Sequence, residues 1–243
     1  MGTSTNYKAP TSPQWKKLKG KVTRLTGQGS LSSTSRKEIV RDYVNVNYGS
    51  SRGTTNRGRA ARRRAAQSVA QSIGGFFSSV ASEGFQKAFE DAGLGSLEGK
   101  TVSEIAHSLL DHLGGPSNTL DEADARTALC DLMDEILNDA DGPEDVEEVM
   151  EMRTHGVALD NLLRRFFGYY IYEQFCKDFY GQLVANIGNK EAAESIDEIR
   201  DYVCEALKEA TGDQEISQID WDGSQGQQIV EEILQETLEV FSE

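Results

Sequence analysis

The fold class follows from residues 101–137, which read TVSEIAHSLLDHLGGPSNTLDEADARTALCDLMDEIL. Thr101 and Glu104 match a capping box, in which the Thr hydroxyl accepts a hydrogen bond from the backbone N–H three residues on and the Glu carboxylate reaches back. The same pair of residue types recurs at Thr119 and Glu122. Apolar residues follow each box at steps of three and four, the spacing of one helix face. The stretch therefore predicts two amphipathic helices joined by a Gly-Gly-Pro turn.

Helical patterns continue on both sides of this stretch. Residues 59–93 combine alanine-rich helix formers with spaced apolar positions and predict either one helix or two helices interrupted at Gly74 and Gly75. Residues 157–187 concentrate aromatic side chains, which we interpret as core rather than as the lining of a ligand pocket. Further helical patterns cover residues 143–152, 192–211 and 224–241. No segment alternates with period two, so the sequence predicts an all-α helical bundle.

The net charge of −15 conceals two regions of opposite charge. Residues 1–75 hold 15 basic and two acidic side chains, whereas the remaining 168 residues hold 10 basic and 38 acidic ones. Residues 1–33 are rich in Gly, Ser, Thr and Pro and are expected to hold no packed element. The bundle is therefore expected to follow a long, flexible, basic N-terminal arm, residues 1–57, with a short helix at 35–48. An acidic all-α domain is expected over residues 58–243.

Several classes of protein are disfavoured by what the sequence lacks. No stretch approaches 18 consecutive apolar residues, and no apolar region follows the N-terminal lysines, so neither a membrane helix nor a secretory signal is expected. The three cysteines, Cys130, Cys176 and Cys204, are far apart in helical patterns, which indicates reduced thiols in a cytoplasmic protein. Phosphate loops, nucleophile elbows and metal-ligand spacings are missing. We therefore expect no enzyme, no cofactor and no metal.

Five arginines within eight residues form the densest basic cluster of the chain. They are Arg57, Arg59, Arg62, Arg63 and Arg64. Positive charge at a helix N-terminus opposes the helix dipole, so a group outside the helix is expected to bind it. Two interpretations remain open. The cluster neutralises the phosphates of a nucleic acid with salt-dependent affinity, or it contacts an acidic surface of a partner or of the chain itself.

The N-terminus carries the most specific signal. A small second residue permits removal of Met1, which exposes the amine of Gly2, a nucleophile whose pKa is ordinarily about 8. Glycine has no Cβ, so such a terminus enters a narrow active site. Prolines pre-extend the residues that follow, and aromatic rings anchor in pockets. The predicted recognition segment consists of Thr3, Ser4, Tyr7, Pro10, Pro13 and Trp15.

Three stretches together resemble the QatB family, a component of the four-gene Qat anti-phage defence systems. They are the terminus MGTSTNYKAPTSPQW, the basic stretch RGRAARRRAAQSVA, and LEGK followed by the capping-box stretch already quoted. The partners in that family are a KAP-type ATPase, a QueC-like enzyme and a TatD-like nuclease. QueC-like enzymes activate the carboxylate of 7-carboxy-7-deazaguanine with ATP. The resemblance implies that the QueC-like partner binds the arm and attaches the 7-deazaguanine to Gly2 through an amide.

Overall fold

The computed structural model describes residues 12–27, 29–48, 57–153, 157–206, 220–221 and 223–240. In these ranges the chain forms ten α-helices and no β-strand, which confirms the all-α prediction. The helices are α1 (Pro13–Thr26), α2 (Ser33–Asn47), α3 (Arg57–Glu83), α4 (Phe85–Asp91), α5 (Val102–Gly114), α6 (Leu120–Leu137), α7 (Pro143–Met152), α8 (Val157–Ile187), α9 (Asn189–Ala206) and α10 (Ser224–Val240).

Both predicted capping boxes are present, at the starts of α5 and α6. The Thr101 hydroxyl accepts from the Glu104 backbone N–H, and the Glu104 carboxylate accepts from the Thr101 N–H at 2.8 Å. Glu122 accepts from the Asn118 and Thr119 backbone N–H groups, each also at 2.8 Å. These backbone hydrogen bonds hold the pKa of each Glu carboxyl below its usual value. The two helices therefore begin at residues that the sequence specifies locally, and they pack against each other.

Helix α8 lies at the centre of the bundle and contacts α1, α2, α3, α6, α9 and α10. Its aromatic residues account for this position, because most of their rings are fully enclosed. The buried members are Phe166, Phe167, Tyr169, Tyr170, Phe175 and Phe179. Their interpretation as core is therefore confirmed.

Helix α3 runs without interruption through Gly74 and Gly75, so the alternative of two helices interrupted at these residues is wrong. The glycines instead permit a close approach. A Cβ on Gly74 would overlap the indole ring of Trp221, a buried residue that is only 4% exposed. The helix ends at Glu83, where Gly84 adopts a φ of +85°. Gly74 thus permits close packing between α3 and the segment that precedes α10.

Residues 13–26 form a packed helix, so the expectation that residues 1–33 hold no packed element is wrong for this part of the chain. The Ser12 hydroxyl caps α1 by accepting from the Trp15 N–H, and Pro13 occupies the first helical position. Trp15 and Leu18 are each 2% exposed. The overall composition of the segment is polar, but one face of the helix is apolar and is buried against α8.

Helix α2 confirms the short helix predicted at 35–48, with a start two residues earlier. It packs against α1, α8 and α9. Residues 1–11 and 49–56 of the expected arm lie outside the described residues. The division of the chain into an arm and a domain at residue 57 therefore stays a prediction.

Candidate functional site at the base of the N-terminal segment

A buried polar cluster around Arg62 joins α2, α3, α6 and α8. Arg62 is only 8% exposed, and its Nη1 donates to Asn47 Oδ1 at 2.9 Å. Its guanidinium lies 3.6 Å from Asp178 Oδ2 and 3.8 Å from Asp121 Oδ1. A buried guanidinium needs such partners, because an isolated charge in a protein core is strongly unfavourable. The cluster therefore places a cation of α3 where carboxylates of α6 and α8 converge.

Three tyrosine hydroxyls complete the cluster. Tyr43 of α2 donates to Asp178 Oδ2 at 2.8 Å. Tyr48 donates to Gln174 Oε1 at 2.9 Å, and the Gln174 amide donates to the Tyr170 hydroxyl at 2.7 Å. The Tyr170 hydroxyl in turn donates to the Arg62 carbonyl at 2.9 Å. Burial raises the pKa of all three phenols, so they remain protonated donors. The hydroxyls form a continuous network between α2, α3 and α8.

Asp178 is the most perturbed carboxyl in this cluster. Its side chain is 0% exposed, and Oδ1 has no hydrogen-bond partner among the described residues. Burial raises the pKa of Asp178 from 3.8 to about 7. Such groups occur in catalytic sites and also in structural ion-pair networks. Because Asp178 is fully enclosed beside Tyr43 and Arg62, no substrate reaches it, and we assign it to the structural network.

Two residues of the arginine cluster, Arg62 and Arg63, bind groups of the same chain. Arg62 binds acidic groups of the same chain, and Arg63 donates to Glu231 Oε1 at 2.8 Å and to the Tyr48 carbonyl at 2.7 Å. These two arginines therefore contact carboxylates of the same chain. Arg64 is exposed and donates only to the Ala60 carbonyl of its own helix within the described residues. The side chains of Arg57 and Arg59 lie outside the described part of the chain.

The predicted recognition segment is divided by the start of α1. Pro13 is the first residue of that helix, and the Trp15 ring packs at 5.3 Å from the Phe179 ring and 6.4 Å from the Tyr43 ring. Trp15 is therefore a core residue rather than the exposed anchor that the sequence suggested. The remaining predicted residues lie outside the described residues, namely Gly2, Thr3, Ser4, Tyr7 and Pro10.

An acidic cleft lies between α4, the loop before α5, and α7. Five carboxylate side chains line it, and none of its lining residues is basic. They are Glu98, Asp141, Glu144, Asp145 and Glu147.

Within the described ranges, no group of three or more His, Cys, Asp or Glu side chains is arranged to hold a metal ion. None of the described helices has the length and apolar composition needed to cross a bilayer.

Residues 53–241 match the family model of QatB, described as Qat anti-phage system associated protein QatB. The chain belongs to the QatB family. It is therefore a component of an anti-phage defence system. Comparison with curated proteins and with solved structures gives no match.

In this QatB chain, the matched region contains α3 to α10, whereas α1 and α2 precede it. The cluster around Arg62 lies across that boundary. Tyr43 and Asn47 come from α2, and Arg62 and Asp178 come from the matched region. The cluster therefore fastens the helices next to the N-terminus to the QatB family core.

The α8 side of this cluster was not predicted from the sequence. Tyr170, Gln174 and Asp178 lie four residues apart and share one face of α8, and all three make polar contacts there. Three hydrogen-bonding side chains at steps of four along one helix face are a signal that the sequence contains. Trp221 was missed as well, although the glycine pair at Gly74 and Gly75 indicates a bulky neighbour once α3 is known to be continuous.

Proposed function

We propose that this chain is the non-catalytic acceptor component of its defence complex, and that Gly2 receives a 7-deazaguanine from a QueC-like partner enzyme. Removal of Met1 exposes the Gly2 amine. The partner activates the carboxylate of 7-carboxy-7-deazaguanine with ATP, and the amine attacks the activated acyl carbon. The amide C–N bond forms as the bond to the activating nucleotide breaks and the amine loses a proton.

The observation that carries this proposal is the anchoring of the chain directly behind the terminal segment. Ser12 caps α1, and Trp15 is held in the core three residues later. Gly2 is therefore separated from a fixed point by the residues up to Thr11, a length of chain that spans at most about 35 Å. That reach suffices to place Gly2 inside a second protein while the helical body stays folded.

The recognition segment in this proposal comprises Thr3, Ser4, Tyr7 and Pro10. Pro13 and Trp15 have a different role, because they start α1 and fix its position on α8. They act on conjugation only through the placement of the segment ahead of them. Substitution of Tyr7 is accordingly expected to weaken partner binding without loss of thermal stability, whereas substitution of Trp15 affects stability first.

The helical body acts as a scaffold for protein partners in this proposal. Its acidic cleft between α4 and α7 offers five carboxylates to a basic partner surface. A KAP-type ATPase and a TatD-like nuclease are the further partners, and the complex works in the cytoplasm.

The alternative function is that of a nucleic-acid-binding adaptor. It would use the arginine cluster, which consists of Arg57, Arg59, Arg62, Arg63 and Arg64. This alternative is less favoured because Arg62 and Arg63 already bind carboxylates of this chain.

Terminus variants test the acceptor role. The full chain is co-expressed with the QueC-like enzyme, and the N-terminal peptide is analysed by mass spectrometry. Wild type is expected to carry the deazaguanine, and a variant with one alanine inserted between Met1 and Gly2 is expected to carry none. Thr23→Ala, an exposed substitution in α1, is the control and is expected to be modified like wild type. Modification on another residue, or an unmodified wild-type Gly2, would contradict the proposal.

A further inference from the structure

The outer face of α1 is a cationic surface that the proposed function does not use. Helix α1 contains no acidic residue, and its apolar face is buried. Its basic side chains other than Lys21 are exposed on the opposite face. They are Lys16, Lys17, Lys19 and Arg24.

The only two carboxylates of the α1–α2 pair do not neutralise this surface. Lys21 Nζ lies 2.6 Å from Glu38 Oε1 and 2.6 Å from Asp42 Oδ2, so one lysine binds both. The hydrogen bond and ion pair with Lys21 are the main causes of the lowered pKa of Glu38, and the charges of Arg24 and Arg41 are smaller causes. Within the described residues, Arg41 and the four exposed basic residues of α1 have no ion-pair partner. A local excess of positive charge therefore remains on α1 and α2.

Gly20 lies in the middle of the same face. Nothing within 4 Å would meet a Cβ at this position, so packing inside the chain does not require glycine. Glycine in a helix interior is destabilising relative to alanine. Gly20 lies one turn after Lys16 and Lys17 and one turn before Arg24. The result is a gap in the side-chain layer, flanked by cations, where another molecule can approach the helix backbone.

We propose that this cationic face, Lys16, Lys17, Lys19, Gly20 and Arg24 with Arg41 beside it, binds the phosphate backbone of a nucleic acid. The inference goes beyond the proposed function and does not rest on Gly2 being modified. Lysines that neutralise phosphates release counterions, and this release supplies most of the affinity of sequence-independent binding. Gly20 allows a phosphate to approach the helix between the flanking cations.

The composition of the face favours a nucleic acid over an acidic protein surface. Protein interfaces are depleted in lysine and have an apolar or aromatic centre. From Lys16 to Arg24, the exposed residues of α1 are three lysines, one arginine, Gly20 and Thr23, with no apolar residue among them. Phosphate contacts require cations and polar groups but no apolar centre. Charges elsewhere on the acidic body are screened beyond a Debye length of about 8 Å at physiological salt.

The spacing of the cations sets the expected affinity and its dependence on salt. Lys17 and Arg24 are two turns apart, about 10 Å along the helix axis. A face of this size engages about four phosphates, so the logarithm of the binding constant is expected to fall with the logarithm of salt concentration with a slope of about −3.6. No strong preference for base sequence is expected, because phosphate contacts do not read bases.

Fluorescence anisotropy with the full chain and a labelled 30-base-pair DNA duplex tests this proposal over a salt series, with an RNA duplex of the same sequence as a second probe. Lys17→Gln combined with Arg24→Gln is expected to weaken binding at least about tenfold at 0.1 M salt and to reduce the salt slope by about half. The matched control removes two exposed cations elsewhere, Lys87→Gln and Lys190→Gln, and is expected to retain wild-type affinity within about threefold.

Gly20→Ala separates a binding role from a structural one. Alanine is the better helix former, so the thermal midpoint is expected to rise by about 2–4 °C. Nucleic-acid affinity is expected to fall several-fold, because the Cβ fills the gap between the cations. Three results overturn the proposal: wild type does not bind either duplex, the Lys17 and Arg24 variant binds as tightly as its control, or Gly20→Ala gains stability without losing affinity. An acidic protein would then be the partner of this face.

Discussion

The Arg62 guanidinium lies 3.6 Å from the Asp178 carboxylate, and both side chains are buried. The Tyr43 hydroxyl donates to the same carboxylate oxygen, and Asn47 accepts from the guanidinium. Through these contacts, α2 is joined to the core that the QatB family match covers. The N-terminal segment that we propose as a substrate therefore begins next to a firmly held pair of helices.

Removal of the Arg62 side chain is expected to destabilise the fold strongly. Arg62→Ala leaves the Asp178 carboxyl and the Asn47 amide buried without their cationic partner, which typically costs about 3–5 kcal/mol in free energy of unfolding. Arg64→Ala, two residues on in the same helix but exposed, is expected to change stability by less than about 0.5 kcal/mol. Urea denaturation of both variants makes the comparison. Equal stabilities would show that the Arg62 cluster does not hold α2 in place.

The buried carboxyl of Asp178 gives stability a specific pH dependence. Its pKa is raised by burial from 3.8 to about 7, so the folded state holds the proton more tightly than the unfolded state does. The contribution of Asp178 to stability is therefore fully present below pH 3.8 and is lost as the pH rises through about 7.

Asp178→Asn isolates this contribution because the amide does not titrate. The unfolding free energy of wild type minus that of the variant is expected to decrease between about pH 4.5 and about pH 7.5. Asp197→Asn, an exposed substitution on α9, serves as the control. A difference for Asp178→Asn that is constant over this range, or that increases with pH, would contradict a raised pKa.

The two adjacent glycines of α3 are expected to respond oppositely to substitution by alanine. A Cβ on Gly74 overlaps the Trp221 ring, so Gly74→Ala is expected to destabilise the protein by about 1–3 kcal/mol through overpacking. The nearest atom to a Cβ on Gly75 is Trp221 Cβ at 3.6 Å, an ordinary contact. Gly75→Ala is therefore expected to be neutral or stabilising by up to about 1 kcal/mol.

Thermal denaturation of the two glycine variants gives the comparison, and Gly74→Ala combined with Trp221→Leu gives a rescue test. Because the indole is absent from the double variant, most of the stability that Gly74→Ala alone loses is expected to be retained. If Gly74→Ala were as stable as Gly75→Ala, the packing of Trp221 on α3 would be refuted.

Trp15→Ala measures whether α1 belongs to the core. The loss of a buried tryptophan is expected to cost about 3–5 kcal/mol. Lys17→Ala, on the exposed face of the same helix, is expected to change stability by less than about 0.5 kcal/mol. Chemical denaturation of both variants distinguishes a packed α1 from a detached one, for which neither substitution would have an effect.

The sequence was sufficient for features that depend on local chemistry. Thr101 with Glu104, and Thr119 with Glu122, specify two helix starts through contacts within one turn, and both starts lie where the sequence predicted them. The aromatic residues of α8 follow helical spacing and are buried together, because a face of that size has to pack against other elements. The fold class follows from such patterns alone.

Features that depend on distant partners were not predictable in this way. Gly74 and Gly75 favour a helix break when considered alone, and only the position of Trp221, far along the chain, makes Gly74 a packing residue. The polar composition around α1 likewise conceals an apolar face with Trp15 at its centre. The arginines also required the fold, since the partner of Arg62 is Asp178, a residue of another helix. In each case the deciding contact joins residues that are remote in sequence.

The intact mass of the whole chain tests the central claim most directly. The protein is purified from cells that also express the QueC-like enzyme and, in parallel, from cells that express an inactive variant of that enzyme. With the active enzyme, we expect a mass increase equal to one 7-carboxy-7-deazaguanine less one water, and fragmentation that locates the addition on Gly2. An unchanged mass with the active enzyme, or an addition located elsewhere in the chain, would contradict the account.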